Sequence, residues 1–441
     1  MSEYNSDYFR YKSIRDPLYG FVDLTKTEIQ IIDTPVFRRL LNIKQLSHAF
    51  VVYPSAIHTR FEHSLGATHL ADLVSRQLEF PNEIREVVRL TALLHDVGHG
   101  PYSHLFEEVL STINKRKVEH DWISTLIIRQ NKELRDILGD KGEYISALLR
   151  HREIDSWKKP GISTLASDVV SSALDVDKLD YLRRDSFHIG VAYGQFDLAR
   201  IIHTLTSTPD EREKRLCIKS KGKDAIENYR LGRYLMHAQV YKHHARIVAD
   251  QMFLKALDLA FGEEAIIDKV LLTVNLDDEL KNDNFLEYYT GLDDRRIYDE
   301  ILQKGPNSKS ASILKNILKR QLYKRVHDFL PDKEILNAQT RDRIMKMNDP
   351  QFKELSQQIA DNVGLQKHEV IVYRAEIPIN LYENEILMLW KGVPRTLDEF
   401  SPIKTSESTI NKFYVFAPKG DEIKNKIRKF VESKLGVPSE T

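Results

Sequence analysis

Residues 95–104 read His-Asp-Val-Gly-His-Gly-Pro-Tyr-Ser-His and place three histidines and one aspartate within ten positions. An apolar helical segment precedes them, and glycine and proline interrupt them, so they lie where a helix ends and the chain turns. His95 and Asp96 offer two kinds of metal ligand, an imidazole nitrogen and a carboxylate oxygen. His99 and His104 remain for phosphate contact or proton transfer. We therefore expect a metal-dependent catalytic site to form around this stretch.

The charge balance, cysteine count and apolar runs of the sequence argue against several classes of protein. The 441 residues contain 65 Lys+Arg and 65 Asp+Glu, and this neutral balance argues against tight nonspecific nucleic-acid binding. A single cysteine, Cys217, excludes a disulfide framework and a thiolate metal cluster. The polar N-terminus predicts no signal peptide, and no apolar run predicts a membrane span. We expect a cytoplasmic protein without a membrane partner, and nucleic-acid binding is not predicted.

The apolar spacing predicts a mainly α fold with small antiparallel hairpins. Residues 14–24 read as a hairpin, and Thr25 with Glu28 forms a capping box that begins the first helix. Helical periodicity then dominates to about residue 330. A C-terminal α/β portion is predicted from strands at 369–377, 385–390 and 412–417 and a helix at 421–435. We therefore expect one domain over residues 1–335, with a metal-binding core at about 58–185, and an α/β appendage over 336–441.

Histidines and aspartates outside the central stretch complete a ligand set. Half of the sixteen histidines lie between residues 48 and 120. One of these, His63, is predicted on an inward helix face. Further along the chain, Asp177 lies in a segment whose leucines mark a buried face. A buried carboxylate is costly without a partner. Any one of these histidines is most simply explained as an ordinary core residue. The cluster instead favours a divalent metal held by His63, His95, Asp96 and Asp177, and these ligands suit Mn, Fe, Mg, Ni or Zn equally.

Three sequence motifs resemble those of a known family. They are Thr-Arg-Phe-Glu-His-Ser-Leu-Gly (59–66), the central stretch (95–104) and Asp-Val-Asp-Lys-Leu-Asp-Tyr-Leu-Arg-Arg-Asp (175–185). Their order and their H…HD…D ligand pattern resemble the deoxynucleoside triphosphate triphosphohydrolase branch of the HD-domain phosphohydrolases. The resemblance implies an HD-domain helical fold and the same four metal ligands.

The resemblance also implies roles for further residues. His104 with Glu107 resembles the family's proton-transfer pair, and a spacing of three on a helix allows the carboxylate to orient the imidazole. His99 and His120 resemble phosphate contacts. The implied substrate-binding residues are the cationic Arg60, Lys178 and Arg233, and the sugar-pocket residues Gln45, Leu46, Tyr181, Asp185, His237 and Tyr241. Without the resemblance, each of these cations is most simply a solvated surface charge.

A second, regulatory nucleotide site at subunit contacts is implied in the same way. The positions that match it are Lys12, Asp33, Arg200, Lys219, Lys221, Arg320 and Lys324. Leu41 stands where an arginine reads the base in activated relatives, and Arg38 replaces an amide. We therefore expect either an altered base preference or a purely structural role for a nucleotide there. The family also implies a homo-oligomer built as a dimer of dimers.

The implied reaction is metal-dependent hydrolysis of a deoxynucleoside triphosphate, with dGTP among the candidate substrates, to deoxynucleoside and tripolyphosphate. Two alternatives remain open. Another HD-domain enzyme, a 5′-nucleotidase or a cyclic-nucleotide or oligonucleotide phosphodiesterase, would share the metal ligands but would not need Gln45 and Tyr241. A non-enzymatic nucleotide or nucleic-acid binding protein is disfavoured because the motif residues are intact.

Overall fold

The computed structural model describes residues 9–151, 154, 161–278, 281–330, 338–378, 386–401 and 409–436. The predicted mainly α fold is confirmed. The helices of this part are α1 Lys26–Ile32, α2 Pro35–Arg38, α3 Arg60–Gln77, α4 Asn82–Leu94, α5 His104–Asn114, α6 His120–Gln130, α7 Lys132–Leu138, α8 Lys141–Leu149, α9 Ile162–Val170, α10 Val176–Ile189, α11 Leu198–Thr204, α12 Lys223–Leu235, α13 His244–Phe261, α14 Asp283–Tyr289, α15 Asp294–Lys304, α16 Lys309–Leu318, α17 Ala338–Met345, α18 Asp349–Val363 and α19 Asp421–Leu435. The strands are β1 Lys12–Asp16, β2 Gly20–Leu24, β3 Leu205–Ser207, β4 Leu216–Lys219, β5 Lys324–Phe329, β6 Ile371–Pro378, β7 Leu387–Trp390, β8 Val393–Thr396 and β9 Thr409–Ala417.

The chain divides into two compact units. The first comprises Met1–Met236, Ile267–Glu300 and Tyr382–Lys404, and the second comprises His237–Ile266, Ile301–Leu381 and Thr405–Thr441. The boundary predicted near residue 335 lies outside the described residues and stays a prediction. Within the described residues, no helix is both long and apolar enough to cross a membrane.

The N-terminal elements form as their local sequence predicts. β1 and β2 pair antiparallel as a hairpin. Thr25 then caps α1, since its hydroxyl accepts from the Glu28 amide at 3.1 Å while the Glu28 carboxylate accepts from the Thr25 amide at 2.7 Å. Thr34 caps α2 through its hydroxyl alone, which accepts from the Phe37 amide at 3.3 Å, with Pro35 in the first turn. Polar side chains thus satisfy the amides that each new helix leaves without an intrahelical partner.

In the first unit, α4 and α10 each pack against α3, and the three helices bury their apolar faces. The approach of α10 to α3 depends on Gly66. A Cβ at Gly66 would lie 2.0 Å from Oδ1 of Asp180 and 2.2 Å from the Arg184 guanidinium. No side chain fits at that distance, so glycine allows α10 to bring its carboxylates to α3.

A four-stranded sheet in the first unit has the order β3-β4-β7-β8. β3 pairs antiparallel with β4, and β7 pairs antiparallel with β8. β4 and β7 are parallel, with Cys217 opposite Leu387. The predicted strand at 385–390 is therefore present from Leu387, while Glu385 lies outside the described residues. Its partner is not the C-terminal sheet, because strand pairing follows tertiary contacts that local alternation does not encode.

The second unit contains the predicted α/β portion. Its antiparallel sheet has the order β5-β9-β6. Helices α18 and α19 pack on the sheet and share its apolar core, to which Phe329, Phe352, Phe413 and Val431 contribute. α19 spans the predicted residues, Asp421–Leu435.

Candidate metal and catalytic site

Helix ends bring the four predicted metal ligands together. His63 lies in the first turns of α3, His95 caps the C-terminus of α4, and Asp96 follows it. Asp177 occupies the first turn of α10, where the Asp175 side chain caps the helix by accepting from the Lys178 amide. Because the three helices pack together, their side chains converge from positions more than a hundred residues apart in the sequence.

The ligand atoms lie within contact of each other. His63 Nε2 is 3.0 Å from Asp177 Oδ1, 3.3 Å from His95 Nε2 and 3.5 Å from Asp96 Oδ2. His95 Nε2 is 3.3 Å from Asp96 Oδ1 and 3.6 Å from Asp177 Oδ1. Ligands about 2.1 Å from one ion lie about 3.0–3.4 Å from each other at octahedral or tetrahedral angles. The spacings among His63, His95 and Asp177 fit ligands of one divalent ion, and Asp96 lies beside them with one oxygen toward each imidazole.

Outer partners orient both imidazoles toward this point. His63 donates from Nδ1 to Asp180 Oδ2 at 2.8 Å, and His95 donates from Nδ1 to the Ala92 carbonyl at 2.7 Å. Each ring then presents an Nε2 lone pair, and these two nitrogens face each other. Two lone pairs and two carboxylates at one point require a cation between them, so the donor set fits a metal ion.

The shifted pKa values of the predicted ligands also indicate that this cluster favours a positive charge. Burial lowers the pKa of His63, but hydrogen bonds to Asp177 and Asp180 outweigh it and raise the pKa to about 10. The pKa of His95 is also raised, since Asp96 and Asp177 outweigh its burial. The pKa values of Asp96 and Asp177 lie well below their ordinary range despite burial, because Arg60 and the two imidazoles stabilise the carboxylates.

Asp180 belongs to a buried network beneath the ligands. Besides His63, it accepts from the Tyr19 hydroxyl at 2.9 Å and from Nε and NH2 of Arg184 at 2.8 and 3.0 Å. Arg184 NH1 lies 2.9 Å from Asp16 Oδ2. Asp180, Arg184 and Asp16 are nearly inaccessible to solvent. Asp16 and Tyr19 of the N-terminal hairpin therefore support the predicted ligand His63 through Asp180 and Arg184 of α10.

The predicted catalytic residues form a second cluster, centred on one carboxylate oxygen. Nδ1 of His99, His104 and His120 lies 3.3, 2.9 and 3.0 Å from Glu107 Oε1. The His99 and His120 rings stack at 3.8 Å. His99 Nε2 lies 3.2 Å from Asp96 Oδ1, which joins this cluster to the metal ligands. Only the His104 side chain is largely exposed, at 67%.

The protonation states of His99 and His120 differ. Burial lowers the pKa of His99 to about 3, and the Arg60 charge acts in the same direction. For His120, burial is outweighed by the hydrogen bond to Glu107, which raises the pKa to about 9. Hydrogen bonds from the histidines hold the pKa of Glu107 well below its usual range. At neutral pH, His99 is therefore a neutral side chain, while His120 and Glu107 form an ion pair.

The turn that carries His104 has an unusual backbone. Tyr102 and Ser103 both have positive φ, +56° and +58°, in the region that favours glycine. Asp294 accepts from the Tyr102 amide at 2.6 Å, and Arg60 Nε donates to the Ser103 hydroxyl at 2.9 Å. These contacts hold the strained turn in place, so that α5 begins with His104 beside the other imidazoles.

Gly98 brings α6 close to the same turn. A Cβ at Gly98 would lie 2.3 Å from the His120 carbonyl and the Ser124 amide. Instead, the Gly98 amide donates to the Ser124 hydroxyl, which donates to the His95 carbonyl. Arg39 supports the other side of the turn by donating to the His99 carbonyl at 2.8 Å.

The predicted phosphate-binding cations have protein partners. Arg60 NH1 lies 2.6 Å from Asp96 Oδ2, and Lys178 Nζ lies 2.7 Å from Asp175 Oδ2. Burial raises the pKa of Tyr181 to about 12, and the nearby charges of Arg233 and Lys178 oppose this shift. The structure thus brings Lys178, Tyr181 and Arg233 into one electrostatic environment.

The predicted sugar-pocket residues of the first unit lie around His58. Asp185 Oδ1 accepts from His58 Nε2 at 2.7 Å, and the Gln45 amide donates to the His58 carbonyl at 3.0 Å. Leu46, the next residue after Gln45, is buried. His237 and Tyr241 belong to the second unit and lie on a π-helical turn, Met236–Tyr241, where their rings meet edge to face at 5.0 Å.

The predicted regulatory residues belong to both units. Lys12, Asp33, Arg200, Lys219 and Lys221 lie in the first, and Arg320 and Lys324 lie in the second. Arg200 Nε donates to the Lys221 carbonyl at 3.2 Å, and Asp33 lies 3.6 Å from Arg38. Leu41 is 41% exposed.

Several structurally important residues escaped the sequence reasoning. Arg39 contacts the backbone of His99, His58 contacts Asp185, and Asp294 holds the turn before His104, each across a long sequence separation. The partners of these three residues are set by tertiary structure, and no spacing rule identifies them. Asp180 is different, because its segment predicts a buried carboxylate that needs a partner, and the structure shows that His63 and Arg184 are partners of this carboxylate.

Comparison with known proteins agrees with this geometry. Residues 60–185 match the HD domain, and residues 196–441 match the HD associated region. The chain belongs to the HD-domain phosphohydrolase family. It is 30% identical to an uncharacterised protein of Methanocaldococcus jannaschii, over 96% of this chain and 86% of that protein.

Two further comparisons, one of sequence and one of structure, are with proteins whose names state an activity. It is 32% identical to the human deoxynucleoside triphosphate triphosphohydrolase SAMHD1, over 74% of this chain and 56% of the human protein. A crystal structure of a phosphohydrolase from Bacteroides thetaiotaomicron superposes with a TM-score of 0.74 at 27% identity, covering 92% of this chain and all of that one. The HD match spans all four predicted metal ligands and the second cluster.

Proposed function

We propose that this HD-domain phosphohydrolase is a metal-dependent deoxynucleoside triphosphate triphosphohydrolase. In the proposed reaction a water oxygen bonds to the α-phosphorus, and the bond between phosphorus and the 5′-oxygen breaks. The products are a deoxynucleoside, whose 5′-oxygen gains a proton, and tripolyphosphate. The likeness to the human triphosphohydrolase over most of this chain supports the substrate class.

The single observation that carries the proposal is the exposed imidazole of His104 beside the buried ligand set. His104 donates from Nδ1 to Glu107, so Nε2 is the nitrogen that exchanges a proton with substrate. Because Glu107 stays ionised, it accepts from Nδ1 of His104 and orients the ring. We assign proton delivery to the leaving 5′-oxygen to His104, with Glu107 as the group that orients it.

His63, His95, Asp96 and Asp177 would hold the divalent metal, which polarises phosphate oxygen and lowers the pKa of bound water. The protein's own cations would bind the rest of the triphosphate. One of these is protonated His120, whose ring centroid lies 5.4 Å from that of His104. Lys178 and Arg233 are proposed to contact the outer phosphates, and Arg60 to act mainly by fixing Asp96.

The sugar and regulatory assignments extend this proposal. Gln45, Tyr181 and Asp185 of the first unit are proposed to bind the sugar 3′-hydroxyl, with Leu46 as a further pocket residue, while the sugar-binding roles of His237 and Tyr241 stay predictions from the resemblance. A nucleotide activator is proposed to bind Lys12, Asp33, Arg200, Lys219 and Lys221 of the first unit in a dimer of dimers, and the roles of Arg320 and Lys324 stay predictions from the resemblance. Strictly hyperbolic kinetics in every deoxynucleotide, with no effect of an added second nucleotide, would contradict the activator.

A product assay tests the proposed function. The purified protein is incubated with each dNTP, rNTP, dNMP and cyclic nucleotide in the presence of Mn²⁺ or Mg²⁺, and the products are separated by chromatography. Release of tripolyphosphate from dNTPs supports the proposal. Release of inorganic phosphate from dNMP, or opening of a cyclic nucleotide, would instead identify another HD-domain phosphohydrolase.

Two neighbouring carboxylates on α5 provide a matched pair of variants. Glu107→Gln removes the charge that orients His104 and is expected to lower kcat by about 10²–10⁴-fold, the usual contribution of acid–base catalysis. Glu108→Gln changes an exposed neighbour of the same helix and is expected to leave kcat unchanged. Asp177→Ala is expected to abolish metal content and turnover together, and turnover without metal would refute the ligand assignment.

A further inference from the structure

His58 is a buried histidine that contacts two of the proposed sugar-binding residues. Its side chain donates from Nε2 to Asp185 Oδ1 at 2.7 Å, and its carbonyl accepts from the Gln45 amide at 3.0 Å. His58 and Asp185 are only 2% and 1% exposed. One residue therefore connects the segment that carries Gln45 to the helix that carries Asp185.

The backbone around His58 makes this connection rigid. The Arg60 amide donates to the Ile43 carbonyl at 3.0 Å, and Lys44 pairs with Thr59 in an antiparallel bridge. Residues 43–45 and 58–60 thus run side by side. These backbone contacts hold Gln45 beside the residue whose side chain contacts Asp185.

The ring of His58 is fixed in its plane and in its tautomer. It stacks on His188 with ring centroids 4.5 Å apart and an interplanar angle of 10°. His188 Nε2 lies 3.2 Å from Glu62 Oε2. An ionised carboxylate only accepts hydrogen bonds, so His58 donates from Nε2. Its Nδ1 is buried and has no hydrogen-bond partner among the described residues, so the contact with Asp185 is the one polar interaction shown for this ring.

The Gln45 side chain contains an acceptor atom that lacks a hydrogen-bond donor among the described residues. Oε1 of Gln45 is buried without a hydrogen-bond partner in the described part of the chain. A buried acceptor without a donor costs about 1–3 kcal/mol, so native proteins seldom retain one unless a ligand or water supplies the donor. A hydroxyl group is a ligand of this kind, because it donates to one acceptor and is small enough to reach a buried one.

We propose that His58 is a positioning residue that holds Asp185 and Gln45 in the arrangement that accepts a sugar 3′-hydroxyl. It thereby determines discrimination between 3′-hydroxyl and 3′-deoxy nucleotides. This inference rests on the proposed function, because it takes a deoxynucleotide as the ligand. His58 acts through Asp185 and Gln45 and does not itself touch the substrate.

The test compares two substrates that differ by the one hydroxyl. Wild-type protein, His58→Leu and His58→Gln are assayed with a dNTP and with the matching 2′,3′-dideoxynucleoside triphosphate. Losing a hydrogen bond to a charged group reduces kcat/KM by about 10–100-fold. We expect His58→Leu to show this loss with the dNTP and less than about a threefold loss with the dideoxy substrate. The amide of His58→Gln can still donate to Asp185 and is expected to restore part of the discrimination.

The controls separate positioning from general loss of stability. His327 is a buried histidine of β5 in the second unit, and His327→Leu should lower Tm without changing the ratio of the two kcat/KM values. Asp185→Asn combined with His58→Leu should be little worse than Asp185→Asn alone. Equal losses on both substrates in His58→Leu, or no advantage of His58→Gln, would overturn the inference.

Failure of the proposed function would be recognised separately. If the wild-type protein cleaves no dNTP, that function is refuted, and the His58 inference is decided by calorimetric binding of a 2′-deoxynucleoside and its 2′,3′-dideoxy analogue. A preference for the former that disappears in His58→Leu supports the inference. Absence of any preference in the wild-type protein overturns it.

Discussion

Asp180→Asn is expected to weaken metal binding although Asp180 is not a metal ligand. The substitution keeps the size of the side chain but removes the charge that holds His63 Nδ1 at 2.8 Å. Replacing an outer partner of a metal-bound histidine typically costs about 10–100-fold in metal affinity. That range equals about 1.4–2.7 kcal/mol, since a tenfold change is about 1.4 kcal/mol.

The same substitution also affects the unliganded fold. Arg184 loses one charged partner and keeps Asp16 at 2.9 Å. Breaking a buried ion pair outright costs about 3–5 kcal/mol, and the remaining partner makes the expected cost smaller. Metal affinity must therefore be measured apart from stability, by chelator competition with Mn²⁺ and by the rise in Tm on adding metal.

Asp168→Asn provides the matched control. Asp168 is also a buried carboxylate paired with an arginine, since its Oδ2 lies 2.8 Å from Arg215 Nε, and within the described residues its hydrogen bonds are with Arg215 and the Leu216 amide instead of a histidine. We expect both variants to lose stability and only Asp180→Asn to lose metal affinity. Equal metal affinities in Asp180→Asn and the wild type, or equal losses in both variants, would refute the reasoning.

Three further predictions concern pH and backbone geometry. His120 has a raised pKa of about 9, so its stabilising charge is fully present below its ordinary pKa near 6.5 and is lost as pH rises through 9. The Tm difference between wild type and His120→Gln should therefore be larger at pH 6 than at pH 10, and a constant difference would contradict the assignment. Gly66→Ala places a Cβ 2.0 Å from a buried carboxylate oxygen and should cost about 1–3 kcal/mol or more, measured by urea unfolding. Gly142→Ala, with no atom nearer than 3.8 Å, should cost nothing. Lys115 has φ +54° at the end of α5, so Lys115→Gly should stabilise by about 0.5–1 kcal/mol while Lys115→Ala does not.

Local sequence rules predicted those parts of the fold that depend on neighbouring residues. The capping box at Thr25, the hairpin before it and α19 all lie where the sequence placed them. The parallel pairing of β4 with β7 was not predicted, since the two strands are separated by about 170 residues. Alternation identifies a strand, but the choice of partner depends on which surfaces meet.

The candidate site likewise combines features that the sequence predicts with features that depend on tertiary contacts. Residue type, buried helix faces and family resemblance predict His63, His95, Asp96 and Asp177 as ligands. His63, His95 and Asp177 lie together in the structure, and Asp96 lies within 3.5 Å of both imidazoles. Arg60 was assigned to phosphate because it is a cation in a motif. The structure places its guanidinium against Asp96 and the Ser103 hydroxyl, because a buried arginine must satisfy its donors with nearby acceptors.

The sequence by itself determined the residue types and spacings that predict the candidate site, because imidazoles and carboxylates near helix ends, together with the family resemblance, are readable without coordinates. Tertiary structure decided how they are held. Asp180 behind His63, His58 behind Asp185 and Asp294 beneath Tyr102 are supports whose partners lie up to about 190 residues away. Hydrogen bonds form only at about 3 Å, and the packing of the helices, not the order of residues, brings these atoms within that distance.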